Sequence, residues 1–161
     1  MIAQAADDLG FEAVLTPTGT ICEDSWLVTA ALISRTGWLK FLVAFCPGFI
    51  SPTLAAQHAA TFQRLSGGRL ILKIITGGDA EEQRRFGDWL DHARRHERTA
   101  GFLTVLRGAW DQEPFDHHGE RHQVAGVTTR RPPRPAREVL FGGASPAAEQ
   151  VAARDADVYL T

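Results

Sequence analysis

The chain has 161 residues, 44% of them hydrophobic, and a formal net charge of -2, a composition that fits one globular domain with a real core. The near-neutral charge argues against nucleic-acid binding and against a polybasic membrane anchor, and no apolar run approaches the ~20 residues of a membrane span. The two cysteines, Cys22 and Cys46, make no disulfide framework and point to a reducing cytoplasm, while the acidic, amphipathic start MIAQAADDLG lacks the basic head and apolar middle of a signal peptide.

Ile2, Ala5, Ala6 and Leu9 fall at helical spacing, and Gly10 stops that run. FEAVLTPTG reads as a strand running into Pro17 and Gly19. CEDSWLVTAALISRT reads as a helix whose broad apolar side holds Trp26, Leu27, Ala30, Ala31 and Ile33. LKFLVAFCPG is a continuous apolar run, the pattern of a strand buried on both faces. SPTLAAQHAATFQRLSGGR places Ser51 as N-cap and Pro52 at the first helical position, with a stop at Gly67–Gly68. RLILKIITGGD is again a strand ending in glycines, and Asp79 with Glu82 three residues on predicts a capping box.

A long charged helix is predicted over roughly 80–110. Phe115 and the alternation HQVAGV flank a turn at His118–Gly119, which predicts a β-hairpin insertion over about 112–131, followed by a proline-rich linker at 132–135. REVLFGG then gives a strand, SPAAEQVAARDA a helix and DVYLT a last strand. Five strands alternate with helices, which predicts an α/β fold with a parallel sheet. Ligands of such sheets bind at the carboxyl edge, where this chain places TPTG, CPG, TGGD, GGAS and YLT. Periodicity leaves two architectures open, a doubly wound open sheet and part of a (β/α)8 barrel. The end of the chain on an apolar strand with no covering helix favours the partial barrel.

Residues 139–146, VLFGGASP, admit two readings. One is a tight turn followed by an ordinary N-cap, Ser145–Pro146. The other is an anion site, because a glycine-rich strand end feeding a helix N-terminus supplies free N–H groups and the positive end of the helix dipole. ITGG at 75–78 has the same two readings. FDHHGERH raises a metal reading through Asp116, His117, His118 and His122. A metal needs three or four converging ligands, and neighbouring strand side chains point to opposite faces, so no metal is expected.

PTGTICEDSWLVTAALISRT, LKFLVAF, SPTLAAQHAATFQRLSGGRL, ITGGDAEEQRRFGDWLDH and VLFGGASPAAEQVAARDADVYLT together resemble the FMNH2-dependent alkanesulfonate monooxygenases of the bacterial luciferase-like superfamily. The resemblance runs in register over nearly the whole chain. It implies an incomplete (β/α)8 barrel, a TIM barrel covering about strands two through six, as one partial domain over 1–161. It implies cleavage of the carbon–sulfur bond of alkanesulfonates with O2 and reduced FMN, yielding an aldehyde and sulfite. The implied partners are the alkanesulfonate, O2 and a separate NAD(P)H-dependent FMN reductase, with a homo-oligomeric full-length parent and neither nucleic acid nor membrane.

By that resemblance Gly142, Gly143, Ala144 and Ser145 match the FMN phosphate turn, with Ala144 where serine is common. Thr76 and Gly77 match flavin-pocket positions, and Thr16 and Thr18 sit at a similar strand end. Cys22 matches a cysteine near the active site and is taken as a pocket residue, not a covalent catalyst. Cys46 stands where those enzymes typically show arginine; a disulfide with Cys22 is not expected in the cytoplasm. His96 stands where they have a tyrosine near the flavin phosphate; the bland alternative is a solvated face among Arg94, Arg95 and Arg98. No general acid or base is expected within the chain, and with two open sheet edges the isolated chain is expected to be poorly stable, aggregation-prone and inactive. A sister flavin- or F420-dependent oxidoreductase, and a non-catalytic remnant, are the alternative readings.

Overall fold

The computed structural model describes residues 2–111, 113–129 and 138–160. A helix α1 (Ile2–Asp8) leads into β1 (Ala13–Thr16), α2 (Ser25–Leu32) with a short 3-10 turn Ile33–Arg35, β2 (Lys40–Phe45), α3 (Pro52–Ser66) and β3 (Leu70–Ile75). Two helices follow, α4 (Ala80–Arg85) and α5 (His92–Gly108), then a hairpin of β4 (Phe115–His118) and β5 (Gln123–Val127), and finally β6 (Val139–Gly142), α6 (Pro146–Asp155) and β7 (Val158–Leu160). The expected linker at 132–135 lies outside the described residues, as do the ends of the expected hairpin span.

The main sheet has the order β1-β2-β3-β6-β7 and every pairing in it is parallel. Each crossover therefore moves one step in the same direction. A doubly wound sheet reverses direction at a switch point, so this order has the winding of a barrel. Among the described residues the hairpin pairs only with itself.

Helices cover one face of the sheet. Phe41, Val43, Leu70, Leu72, Ile74, Val139 and Phe141 point into it and form one core with Ala55, Ala59, Phe62, Phe102, Leu103, Leu106, Ala148 and Val151 from the helices. The opposite face carries Leu15, Leu42, Ile71, Lys73, Ile75, Leu140, Gly142 and Val158, which are half-buried or exposed. In β2, the strand expected to be buried on both faces, Phe41, Val43, Ala44 and Phe45 are buried and Leu42 is half-buried, whereas burial alternates along β3 and β6, because among the described residues only the helix side is covered.

Local signals explain most elements. Ser51 Oγ accepts from the Leu54 amide, Pro52 opens α3, and Gly67 closes it with its amide on the Gln63 carbonyl. Asp79 accepts from the Glu81 and Glu82 amides. The Glu82 carboxylate does not reach back to complete a capping box; it accepts from the Thr20 amide at 3.0 Å and ties α4 to the loop after β1. The single charged helix expected over 80–110 is two helices. Gly87, at φ +80°, takes a conformation that side chains resist, and Asp91 caps α5 by accepting from the Arg94 amide.

Apolar spacing misjudged two helix faces. In α1 the residues turned inward are Ala3 and Ala6, while Ile2 and Leu9 are exposed. In α2 the buried residues are Ser25, Trp26 and Thr29, and Leu27, Ala30 and Ala31 are exposed. Hydroxyls decide that orientation: Ser25 Oγ donates to the Ala44 carbonyl and Thr29 Oγ1 to Thr16 Oγ1, both at 2.8 Å.

The Asp7 carboxylate accepts from the amides of Gly37, Trp38 and Leu39 and so fastens α1 to the turn before β2. These bonds, first that of Gly37, hold its pKa below the ordinary 3.8. A depressed carboxylate stabilises the fold above its unfolded pKa and loses that effect as pH falls through the folded value. Asp7→Asn is therefore expected to lower stability at neutral pH and to flatten the loss of stability below about pH 4. Urea midpoints measured across that range check this; parallel acid curves for the two proteins would rule it out.

Candidate functional site

Between the carboxyl ends of β3 and β6 lies a cavity of about 550 Å³. Seven of the nine residues expected at a cofactor or catalytic site line it: Thr76, Gly77, His96, Gly142, Gly143, Ala144 and Ser145. Parallel pairing of β3 with β6 sets Ile75 beside Gly142, so the two loops that follow, TGGD and GASP, open toward the same space.

The first loop holds its shape through Gly77, at φ +80°, where a β-carbon would stand 2.1 Å from the Gln83 amide. In the second loop Gly143 answers a packing demand. A β-carbon there would sit 2.6 Å from the Ala148 methyl, so the glycine lets the first turn of α6 close against the strand end. The Gly143 amide is already used, donating to the Leu160 carbonyl, while its own carbonyl accepts from Tyr159 Oη. Ser145 Oγ caps α6 by accepting from the Ala148 amide at 3.2 Å. The amides of Ala144 and Ser145 make no hydrogen bond among the described residues. Of the two sequence readings of VLFGGASP, the N-cap is seen at Ser145, and the anion reading rests on these two unbonded amides.

His96 does not lie on a solvated face. It is only 3% exposed, lines the cavity, and sits with Nε2 3.3 Å from His92 Nε2 and 3.5 Å from Ser145 Oγ. Its Nδ1 is buried and has no partner. Burial, then the neighbouring His92 and Arg95, push its pKa below the usual histidine value. The arginines around it are engaged elsewhere: Arg94 with Asp91, Arg95 with the Leu90 carbonyl and Arg98 with Asp88.

Two lining residues escaped sequence reasoning, Lys73 and His92. Lys73 is the single charge in the strand LILKII, and its Cε lies 3.7 Å from where a Gly142 β-carbon would be. It makes no ion pair or hydrogen bond among the described residues. A lone cation inside an apolar strand, and a histidine four residues before His96, were the available signals. Among the described residues no Asp or Glu lines the cavity.

Cys22 and Thr18 lie elsewhere, on a second cavity of about 560 Å³ beside the ends of β1 and β2. It is walled by Trp26, Phe45, Phe49, Ile50, His58 and Phe86. Trp26 Nε1 and His58 Nδ1 are buried there without partners. Cys22 is exposed in the turn before α2, and Cys46 is buried in the same wall; both are free thiols. Burial, with Glu82 and Asp88 adding to it, pushes the Cys46 thiol up to about 12, so it is protonated and inert at neutral pH. Thr16 lines neither cavity; it is buried at the end of β1 with its hydroxyl on Thr29.

In the hairpin, among the described residues, no three of His, Cys, Asp and Glu converge on a metal-sized point. His117 stacks on Phe115, Asp116 accepts from the Gly126 amide at 2.6 Å, and His122 packs on Phe102. Among the described residues no helix is long and apolar enough to cross a membrane.

A parallel sheet wound in one direction, with helices on one face and an anion-compatible cavity at its carboxyl edge, defines a β/α-barrel type of chain. It belongs to the luciferase-like monooxygenase family, whose model matches residues 1–161. Solved structures that share the fold include the following three. One is an EDTA monooxygenase from Chelativorans sp. BNC1, at 21% identity and TM-score 0.85, covering 97% of this chain and 44% of that one. Another is a long-chain alkane monooxygenase, at 18% identity and TM-score 0.87, covering 98% and 47%. The third is an F420-dependent secondary alcohol dehydrogenase in complex with an F420–acetone adduct, at 20% identity and TM-score 0.84, covering 98% and 51%. The chain spans about half the length of these structures.

Proposed function

We propose that the chain supplies the phosphate-holding part of an FMN-dependent monooxygenase site, in a protein that uses the flavin in its reduced form. One observation carries this reading: the cavity between β3 and β6 gathers Lys73, His92, His96 and the unbonded amides of Ala144 and Ser145 at the N-terminus of α6, with no carboxylate among the described residues of its lining. A phosphate dianion is the ligand such a donor set suits. The residues fit the group, since Lys73 lacks a counter-ion and His96 Nδ1 lacks a partner. Bound reduced flavin supplies the electrons that activate O2. This chain's residues would hold its phosphate, with Thr76 and Gly77 bordering it. The aromatic cavity at β1 and β2, with Cys22 on its rim, would receive the organic part of a substrate.

The finer reading is oxidative desulfonation of alkanesulfonates to aldehyde and sulfite by a homo-oligomer fed by an NAD(P)H-dependent FMN reductase. It rests on the runs CEDSW, SPTLAAQ and TGGD. A second reading, an F420- or flavin-dependent oxidoreductase on an uncharged substrate, has its own support. Cys46 is protonated where the alkanesulfonate enzymes carry arginine, and among the described residues neither Lys nor Arg lines the cavity around it.

The test takes the protein encoded by the complete reading frame. Titration with FMN, riboflavin and F420 is expected to show FMN binding at least about tenfold more tightly than riboflavin, a difference of about 1.4 kcal/mol. Sulfite is expected from an alkanesulfonate with reduced FMN and O2. Equal affinity for FMN and riboflavin would remove the phosphate site, and binding of F420 in place of FMN would transfer the assignment to the second reading.

A further inference from the structure

We propose that His92 and His96 share a proton at the phosphate site, so that binding a phosphate dianion there is accompanied by proton uptake. The proposal rests on the phosphate reading above and assigns to the site a linkage that reading does not contain.

The geometry is specific. His92 and His96 stand four residues apart on α5, one turn, which stacks their side chains on one face. Their ring centroids are 4.6 Å apart and their Nε2 atoms 3.3 Å apart. Two imidazole nitrogens at that separation hold one proton between them, one ring donating and the other accepting. The neutral pair can therefore accept one further proton on a remaining ring nitrogen, and His96 Nδ1 is buried without a partner.

The surroundings set the direction of the linkage. From α5 itself, Arg95 is buried next to His96. Lys73 of β3 lines the same cavity. On the other side of His96, Glu97 and Arg154 line a smaller depression between α5 and α6. From β6 the neighbour is the uncharged Phe141 ring, 6.3 Å away, and from the start of α6 the Ser145 hydroxyl. Arg154 is paired with Asp155 and Glu97 with Arg121, so burial, His92 and Arg95 are what disfavour a charged imidazole when no anion is bound. A dianion in the cavity reverses that balance, because an opposite charge within a few ångströms favours the protonated form. His96 sits within hydrogen-bond reach of the helix N-cap, so it meets the anion at the point where the α6 amides do.

The experiment measures FMN affinity by quenching of flavin fluorescence between about pH 6.5 and 8.5, where the phosphate stays largely dianionic, its second pKa being about 6. It uses the protein from the complete reading frame at constant ionic strength. FMN is expected to bind roughly three- to tenfold more tightly at the low end, for a rise of about one to two units in the pKa of His96. Calorimetry in buffers of different ionisation enthalpy is expected to show uptake of a fraction of a proton, approaching one. Riboflavin, which has no phosphate, is expected to show neither effect. His96→Gln and, independently, His92→Asn are expected to bind FMN more weakly at the low end, near the wild-type affinity at about pH 8.5, and to lose the pH dependence; the two variants guard against one failing to fold. The proposal is overturned if wild-type affinity is flat with no proton uptake, if riboflavin shows the same dependence, or if both variants retain it. FMN that binds with a flat pH profile removes only the linkage. FMN that binds at no pH removes the phosphate reading as well.

Discussion

Replacing Arg98 by methionine is expected to cost about 3–5 kcal/mol of stability, the range for stranding one member of a buried ion pair. Arg98 Nη2 lies 2.5 Å from Asp88 Oδ2, and the two side chains are only 13% and 3% exposed. Burial pushes the Asp88 carboxyl up, but the Arg98 hydrogen bond and the Leu90 amide outweigh it, and the net pKa is lowered. Without Arg98 the desolvation remains and most of the compensation goes. The folded pKa of Asp88 then rises above its unfolded value. A carboxylate raised in this way destabilises at neutral pH and is relieved as pH falls through the folded value. Arg98→Met is therefore expected to gain stability on mild acidification, where the wild type does not. Asp88→Leu combined with Arg98→Met, which removes both charges, is expected to recover most of the loss. Chemical denaturation of the wild type and the two variants decides: an Arg98→Met variant within about 1 kcal/mol of wild type would place the pair among surface contacts.

That ion pair also shows where sequence reasoning stops. RFGDWLDHARRHER reads as one charged helical run, and its charges look interchangeable. The fold separates them: Asp91 caps α5, Asp88 is buried on Arg98, and Arg95 turns in to the Leu90 carbonyl. Only Gly87 marked the break. By contrast, βα order, the α3 caps and the hairpin were legible, because each rests on local chemistry: Ser51–Pro52 and Gly67 for the helix, the alternation on either side of Gly119 for the hairpin.

The candidate site divides along the same line. Its loops were legible, since glycine-rich strand ends in a parallel fold converge on one edge. Its charges were not. Lys73 looks like a solvated residue in LILKII until the pairing of β3 with β6 sets it beside Gly142. His92 acquires a role only when α5 turns the ring of His96 inward. Thr16 has a strand-end position like that of Thr76, yet its hydroxyl is taken by Thr29, a contact that depends on how α2 lies over β1. Side-chain direction at a strand end is decided by the element packed above it, and that information is non-local.

Phe141→Ala is the second change with a large expected effect, about 3–5 kcal/mol. Phe141 is fully buried in the helix-facing core, one residue before Gly142. It joins the core to the site, because the His96 ring stands 6.3 Å from its own and Gly143 packs beside it. Truncation to alanine removes the wall behind His96, whereas Phe141→Leu retains most of the volume and is expected to cost clearly less. If rigid support of His96 and the GASP turn sets phosphate affinity, FMN binding should weaken in Phe141→Ala under conditions where the variant is still fully folded, and weaken less in Phe141→Leu. The two effects separate experimentally, thermal midpoints reporting the core and FMN titration well below the midpoint reporting the site. Unchanged FMN affinity in a folded but destabilised Phe141→Ala would show that the backbone turn alone, held by the Gly143–Leu160 and Tyr159–Gly143 hydrogen bonds, keeps the cradle in shape.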